Sequence, residues 1–165
     1  MNLLVHGYII LLSLYKTFEC SEIMKLCSIK LCSACLLGVK CRYDGKSRPC
    51  QKVIDLAGKE TLIPVCPEQL AGLPTPRIGH EIKCNKVINE KGNDATPVFQ
   101  KGAQETLKIA KIFGIKEAIF KQRSPSCGCG YIYDGTFSKK VIAGDGWTTR
   151  LLKKNGIKVI SEDDL

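Results

Sequence analysis

The sequence predicts an α/β fold of Rossmann-like type: a single compact domain, mainly parallel sheet, with flanking helices. Three observations carry this. Short apolar runs alternate along the chain with helical segments, the pattern of parallel strands joined by crossover helices. The run from Gly102 to Phe113 is amphipathic at helical spacing, with Ala103, Leu107 and Ala110 on one face and Gln104, Glu105, Lys108 and Lys111 on the other. A chain of 165 residues, 44% hydrophobic and 25% charged, is long enough for one buried core and is not of disordered composition.

Leu26 to Cys35 is short, apolar on alternate positions and followed by the turn-forming Gly38, which predicts the first strand. Met24 stands just before it, so the ordered domain is expected to span 24–165, with residues 1–23 an N-terminal extension. The apolar stretch within that extension is short and interrupted, with no basic residue before it and no small-residue cleavage pattern after it. It is therefore expected to be neither a membrane span nor a signal peptide. Lys52 to Ala57 predicts a short helix, and Thr61 to Val65 a second strand ending at Cys66. Pro67 to Arg77 is expected to be mostly loop, because Pro74 and Pro76 fit neither a helix interior nor a central strand.

After a charged middle and the long helix, Gly114 supplies a C-terminal stop. Glu117 to Phe120 predicts the next strand, running into Ser124. The Gly144-Asp145-Gly146 turn then introduces a helix with Trp147, Leu151 and Leu152 inward, closed by Asn155-Gly156. Ile157 to Ile160 is the expected final strand.

The net charge is +9, but 20 of the 25 basic residues are lysines, scattered along the chain. Dedicated nucleic-acid readers concentrate arginine for bidentate contacts, so a stable nucleic-acid complex is not expected, nor is a membrane partner. Ten cysteines raise the question of a disulfide scaffold. The chain is larger than the small secreted domains that need staples, and close spacings such as Cys32-x-x-Cys35 and Cys127-x-Cys129 suggest metal instead. A reduced, cytoplasmic setting is expected.

Cys35, Cys66 and Cys127 each follow an apolar run, on loops built from Ser, Pro and Gly. In an open parallel sheet the ligand crevice lies outside the carboxyl ends of the strands, where all three would fall. Thiolates are soft ligands that select zinc, copper(I) or iron–sulfur clusters. These three are far apart in sequence rather than paired as in structural zinc sites, and three thiolates leave one position open. Cys41 or Cys129 would supply a fourth and close it. Cys20, Cys27 and Cys84 are expected to be buried, inert thiols, with Cys32 and Cys50 nearer the site.

Glu68, two positions after Cys66, is placed for acid/base work on the same loop, or is a solvated loop carboxylate. Ser124 and Ser126 flank Pro125, where hydroxyl and backbone donors orient a ligand or simply build a turn. Arg42-Tyr43-Asp44-Gly45 is a tight turn whose guanidinium and phenol suit a small planar ligand. Tyr133-Asp134-Gly135 is expected to be a structural turn, and His6 and His80 to be non-catalytic.

These motifs also carry a resemblance. Ser33-Ala34-Cys35-Leu36-Leu37-Gly38 with Arg42-Tyr43-Asp44-Gly45 resembles the opening of the DUF523 family. Val65-Cys66-Pro67-Glu68, Gly72-Leu73-Pro74-Thr75-Pro76-Arg77, Ser124-Pro125-Ser126-Cys127-Gly128, Tyr133-Asp134-Gly135-Thr136-Phe137 and Gly144-Asp145-Gly146 continue it in order to the C-terminus. The family includes the thiouracil desulfidases. The resemblance implies a [4Fe–4S] cluster on Cys35, Cys66 and Cys127 with one open iron. It implies Glu68 and Ser124 as the acid/base and orienting residues, and Arg42, Tyr43 and Ser126 are candidate substrate contacts. Cys41 and Cys129 stand where the family pattern does not call for cysteine.

The implied reaction is non-redox. A thiolated nucleobase such as 4-thiouracil binds the open iron through sulfur, water attacks the ring carbon, and sulfur leaves as hydrosulfide. Two alternatives stand beside it. One is an iron–sulfur or zinc protein that binds, senses or carries sulfur without turnover; the other is a desulfidase acting on thiolated nucleotides within RNA.

Overall fold

The computed structural model describes residues 28–165. The boundary at Met24, the extension 1–23, and His6, Cys20 and Cys27 lie outside the described residues. Strand β1 (Ile29–Ser33) leads into a 3-10 turn (Ala34–Leu37), helix α1 (Gln51–Ala57) and strand β2 (Thr61–Val65). Helix α2 (Pro67–Leu70), the hairpin β3 (His80–Lys83) and β4 (Lys86–Asn89), and helix α3 (Thr96–Ile112) come next. Strand β5 (Glu117–Phe120), the hairpin β6 (Tyr131–Tyr133) and β7 (Val141–Ala143), helix α4 (Trp147–Lys154) and strand β8 (Lys158–Ser161) complete the fold.

Four parallel strands form the sheet in the order β2-β1-β5-β8. From β1 the chain steps to β2 on one side, then returns to β5 on the other. Strand β1 is therefore the topological switch point, and a crevice opens beyond its carboxyl end. Alternation along the strands sends Leu31, Ala118, Phe120 and Val159 to one face, against Ala110 of α3 and Leu152 of α4. Cys32 and Ile119 face the other way, packing with Leu36 and Val53 of α1. The predicted α/β class and parallel sheet are what the chain adopts. Among the described residues no helix is long and apolar enough to cross a membrane.

The differences have local causes. The first strand is shorter than expected, so Cys35 sits beyond its end, in the 3-10 turn. The Pro67 segment begins as one turn of helix, because proline is well suited to the first helical position. Helix α3 starts six residues early, at Thr96, whose backbone N–H is held by Asp94 Oδ1 at 2.8 Å. The hairpin β3–β4 hides in the charged middle: its buried Glu81 breaks the apolar alternation that would have marked it. Its tip is Cys84-Asn85, both left-handed (φ 46° and 62°), so Cys84 is exposed on a hairpin turn rather than buried. In α4 the fully buried residues are Thr148, Thr149 and Leu152, while Trp147 and Leu151 are half-buried.

Helix α3 crosses α2 at Gly102, where a Cβ would collide with the Pro67 carbonyl oxygen. This close approach seats the turn that follows Cys66. Gly102→Ala is expected to destabilise the fold by about 1–3 kcal/mol through overpacking, read from the urea midpoint. An unchanged midpoint would show that the two helices separate freely.

Candidate active site

Beyond the carboxyl ends of β1 and β2 and under the loop after β5 lies a cavity of about 360 Å3. Its wall carries Cys35, Cys41, Cys66 and Cys127, together with Glu68 and Ser124. Each cysteine arrives by a different route. Cys35 rides the 3-10 turn after β1, Cys66 is the N-cap of α2, and Cys127 comes from the loop after β5.

Glu68 occupies the first turn of α2. Its carboxylate is only 12% exposed and meets Arg77, itself 4% exposed, whose Nε donates to Oε2 at 2.7 Å. Arg77 also donates through Nη2 to the Cys41 carbonyl at 3.1 Å, and through Nη1 to the Pro74 carbonyl and Thr75 Oγ1. Pairing a largely buried carboxylate with a guanidinium that makes four hydrogen bonds to the protein is what makes its burial tolerable. Ser126 Oγ donates to the other carboxylate oxygen, Oε1, at 3.4 Å. Glu68 is thus gripped from two sides, with its position fixed relative to the thiols.

The Ser124–Gly130 loop is held by backbone. Ser124 Oγ accepts from the N–H groups of Ser126 (3.2 Å) and Cys127 (3.1 Å), leaving its own proton to donate. The first N–H groups of α4 have no partner within their helix. Those of Trp147 and Thr148 donate to the carbonyls of Pro125 and Ser126, and Gly146 N donates to Gly128 O. Thr149 Oγ1 completes the clamp on the Cys127 carbonyl at 2.8 Å. A Cβ on Gly146 would strike the Ser126 carbonyl, so glycine is what allows helix and loop to meet.

All eight described cysteines are free thiols. The neighbouring Cys35 thiol is the main reason Cys41 is pushed up to about 11, and burial pushes Cys127 well above its usual value. Cys66 is raised first by the Cys41 thiol and then by burial. Such thiols remain protonated until a cation takes the proton's place. Among the described residues no three His, Cys, Asp or Glu side chains converge closely enough for a single metal ion. The four thiols instead stand around one shared cavity. A polynuclear group takes its thiolates one per iron, so this soft, spread-out donor set fits an iron–sulfur cluster.

Comparison with known proteins points the same way. Residues 31–164 match the family model of 2-thiouracil desulfurase. The chain belongs to the 2-thiouracil desulfurase family. The uncharacterized protein YbbK of Bacillus subtilis (strain 168) is 41% identical over 145 residues, covering 82% of this chain and 96% of that one. The structure of the [4Fe-4S]-dependent thiouracil desulfidase TudS superposes with a TM-score of 0.77 at 42% identity, covering 84% of this chain and 93% of that one. This 2-thiouracil desulfurase homologue therefore shares the fold of an iron–sulfur enzyme over most of its length.

The fold gathers most of the sequence-predicted site residues of this 2-thiouracil desulfurase family member at one cavity. Arg42 and Tyr43 line it. The Arg42 guanidinium is engaged by Asp44 in two hydrogen bonds, at 3.1 and 2.9 Å, and lies 5.6 Å from the Tyr43 ring centre. That bonding outweighs burial, which acts in the opposite direction, and pulls the Asp44 carboxyl down to about 2. Ser126 does not line the cavity; it stands behind Glu68.

Cys129 is also absent from the wall. Its backbone is clamped by Gln122, at 3.1 Å to N and 2.7 Å to O, and its thiol contacts the Val159 carbonyl at 3.2 Å. Cys32 and Cys50 likewise stay off the wall, packed on the α1 side of the sheet.

Sequence reasoning passed over several wall residues. Arg77 was visible only as part of a family motif, nine positions from its partner. Four of the five arginines, Arg42, Arg48, Arg77 and Arg123, line the cavity although none are sequence neighbours. His80, expected to be non-catalytic, lies on the wall against Phe99, its Nδ1 buried without a partner and its pKa lowered by burial. The turn after Tyr133 is structural as expected: Glu81 Oε2 accepts from Gly135 N at 3.0 Å and Phe137 N at 2.9 Å. In doing so it also lays Tyr133 and Phe137 along the cavity.

Proposed function

We propose that this protein removes sulfur, as hydrosulfide, from a thiolated nucleobase such as 4-thiouracil by non-redox hydrolysis. The observation that carries this is a buried, doubly held Glu68 carboxylate on the wall of a cavity whose other side chains include four free thiols. Cys35, Cys66 and Cys127 would hold a [4Fe–4S] cluster. When bound there, such a cluster supplies a Lewis-acidic iron with affinity for a thiocarbonyl sulfur.

The remaining work falls to the chain. The Tyr43 ring and the Asp44-held Arg42 guanidinium offer flat faces on which a pyrimidine ring would rest. Ser124 keeps one hydroxyl proton with which to orient the ring's polar edge. Glu68 takes a proton from the water that adds to the ring carbon. The carbon–sulfur bond breaks and the sulfur departs with its electron pair, taking the proton from Glu68 to leave as hydrosulfide. The new hydroxyl on the ring carbon gives its own proton to Glu68 as the carbonyl product forms. No electrons are exchanged.

Arg48 and Arg123, exposed at the rim, favour a second substrate form, a thiolated nucleotide within RNA. Its turnover would fall steeply with salt, whereas free-base turnover would not.

The deciding experiment is anaerobic preparation followed by iron and sulfide analysis and a sulfide-release assay with 4-thiouracil. A coloured protein with a full cluster complement that releases sulfide is the expected result. Stoichiometric zinc without iron would refute the cluster, and a cluster without sulfide release would point to sulfur binding or sensing instead.

A further inference from the structure

Four thiols line the cavity, and the proposed cluster uses three. Cys41 is the one left over. It is 2% exposed, on the wall, with its thiol beside those of both Cys35 and Cys66. Its backbone is fixed from both sides. The N–H donates to the Val39 carbonyl at 2.9 Å, and the carbonyl accepts from Arg77 Nη2 at 3.1 Å and from the Cys66 thiol at 3.6 Å.

We propose that Cys41 is a releasable fourth ligand that caps the open iron when no substrate is bound. The inference rests on the three-cysteine cluster proposed above. Two features separate Cys41 from the other candidate, Cys129. Its thiol faces the cavity among the expected ligands, whereas that of Cys129 turns to the Val159 carbonyl. Its backbone is anchored while its side chain reaches the wall through one rotatable bond, so binding and release need only a change of rotamer. The residue that anchors it, Arg77, also holds Glu68, so cap and proton acceptor are mounted on one guanidinium.

The exchange is redox-neutral. The Cys41 thiolate gives up the iron and takes a proton from solvent as the substrate sulfur takes the vacated position. Between turnovers the cap guards the iron that has only inorganic ligands otherwise, the one a cubane cluster loses first on oxidation.

The test compares the wild-type protein with Cys41→Ala and the size-matched Cys41→Ser, all loaded anaerobically and then treated with ferricyanide. Iron release and the electron paramagnetic resonance signal of a [3Fe–4S] cluster are followed, and circular dichroism checks the fold of each variant. All three proteins are expected to take up a full cluster, with both variants converting to the three-iron form several-fold faster. Equal conversion rates in all three would overturn the cap. Loss of the cluster from both folded variants would also overturn it, by making Cys41 a permanent ligand. A wild-type protein that takes up no iron would instead overturn the cluster itself, and this inference with it.

Discussion

Glu68→Gln is expected to lower sulfide release by about 10²–10⁴-fold, the usual range for loss of a general acid–base group. Iron and sulfide content should remain at the wild-type level. Glutamine keeps the volume of the side chain, and its amide oxygen still accepts from Arg77 Nε, which now donates to Oε2 at 2.7 Å. What it removes is the ability to take a proton from water. It also leaves a buried guanidinium without its counter-charge, so part of the loss would be structural. Arg77→Lys separates the two effects: it keeps a cation and a competent carboxylate but cannot span Glu68 Oε2 and the Cys41 carbonyl with one planar fork. A smaller loss of turnover with an intact cluster is expected there. Glu68→Gln protein that turns over at the wild-type rate would remove Glu68 from the chemistry.

The second large effect is at Cys127. Cys127→Ala is expected to abolish the cluster and with it all turnover, giving a colourless protein after anaerobic loading. Cys127 is 5% exposed and deeply clamped, its N–H held by Ser124 Oγ and its carbonyl by Thr149 Oγ1. Cys41 would serve a different iron, and it is anchored by Arg77 beside Cys35 and Cys66, so the position that Cys127 fills from the loop after β5 stays empty. Cys84→Ala, on the exposed β3–β4 turn, is the control that should retain both colour and turnover. Cys129→Ala should keep the cluster as well, since its thiol contacts Val159 rather than the cavity. Colour retained in Cys127→Ala and lost in Cys129→Ala would invert the ligand choice on this loop.

Much of the fold was legible because its signals are local. Thr61–Val65 and Glu117–Phe120 stand in the structure as the sequence marks them, as apolar runs bounded by Gly, Pro or charged residues. The strands missed were the four of the two hairpins, each three or four residues long with at most two of them buried. Strand β3 buries a glutamate to hold a distant turn, and β7 is exposed along its whole length. Neither leaves a periodic trace that a sequence pattern detects.

The site divides in the same way. From sequence alone came the α/β class, the delivery of Cys35, Cys66 and Cys127 to strand ends, and Glu68 two residues from Cys66. Periodicity and Gly/Pro punctuation act over a few residues, so the chain carries them openly. Tertiary structure alone decided which thiols face the cavity and what holds the carboxylate. Cys41 faces inward because Arg77 grips it across 36 positions, and Cys127 is set by Thr149 across 22. Cys129, two residues further on, is turned away by Gln122, while Arg77 folds back nine positions to pair with Glu68. Side-chain direction on a loop is set by hydrogen bonds to residues remote in sequence, and those exist only once the sheet has brought them together.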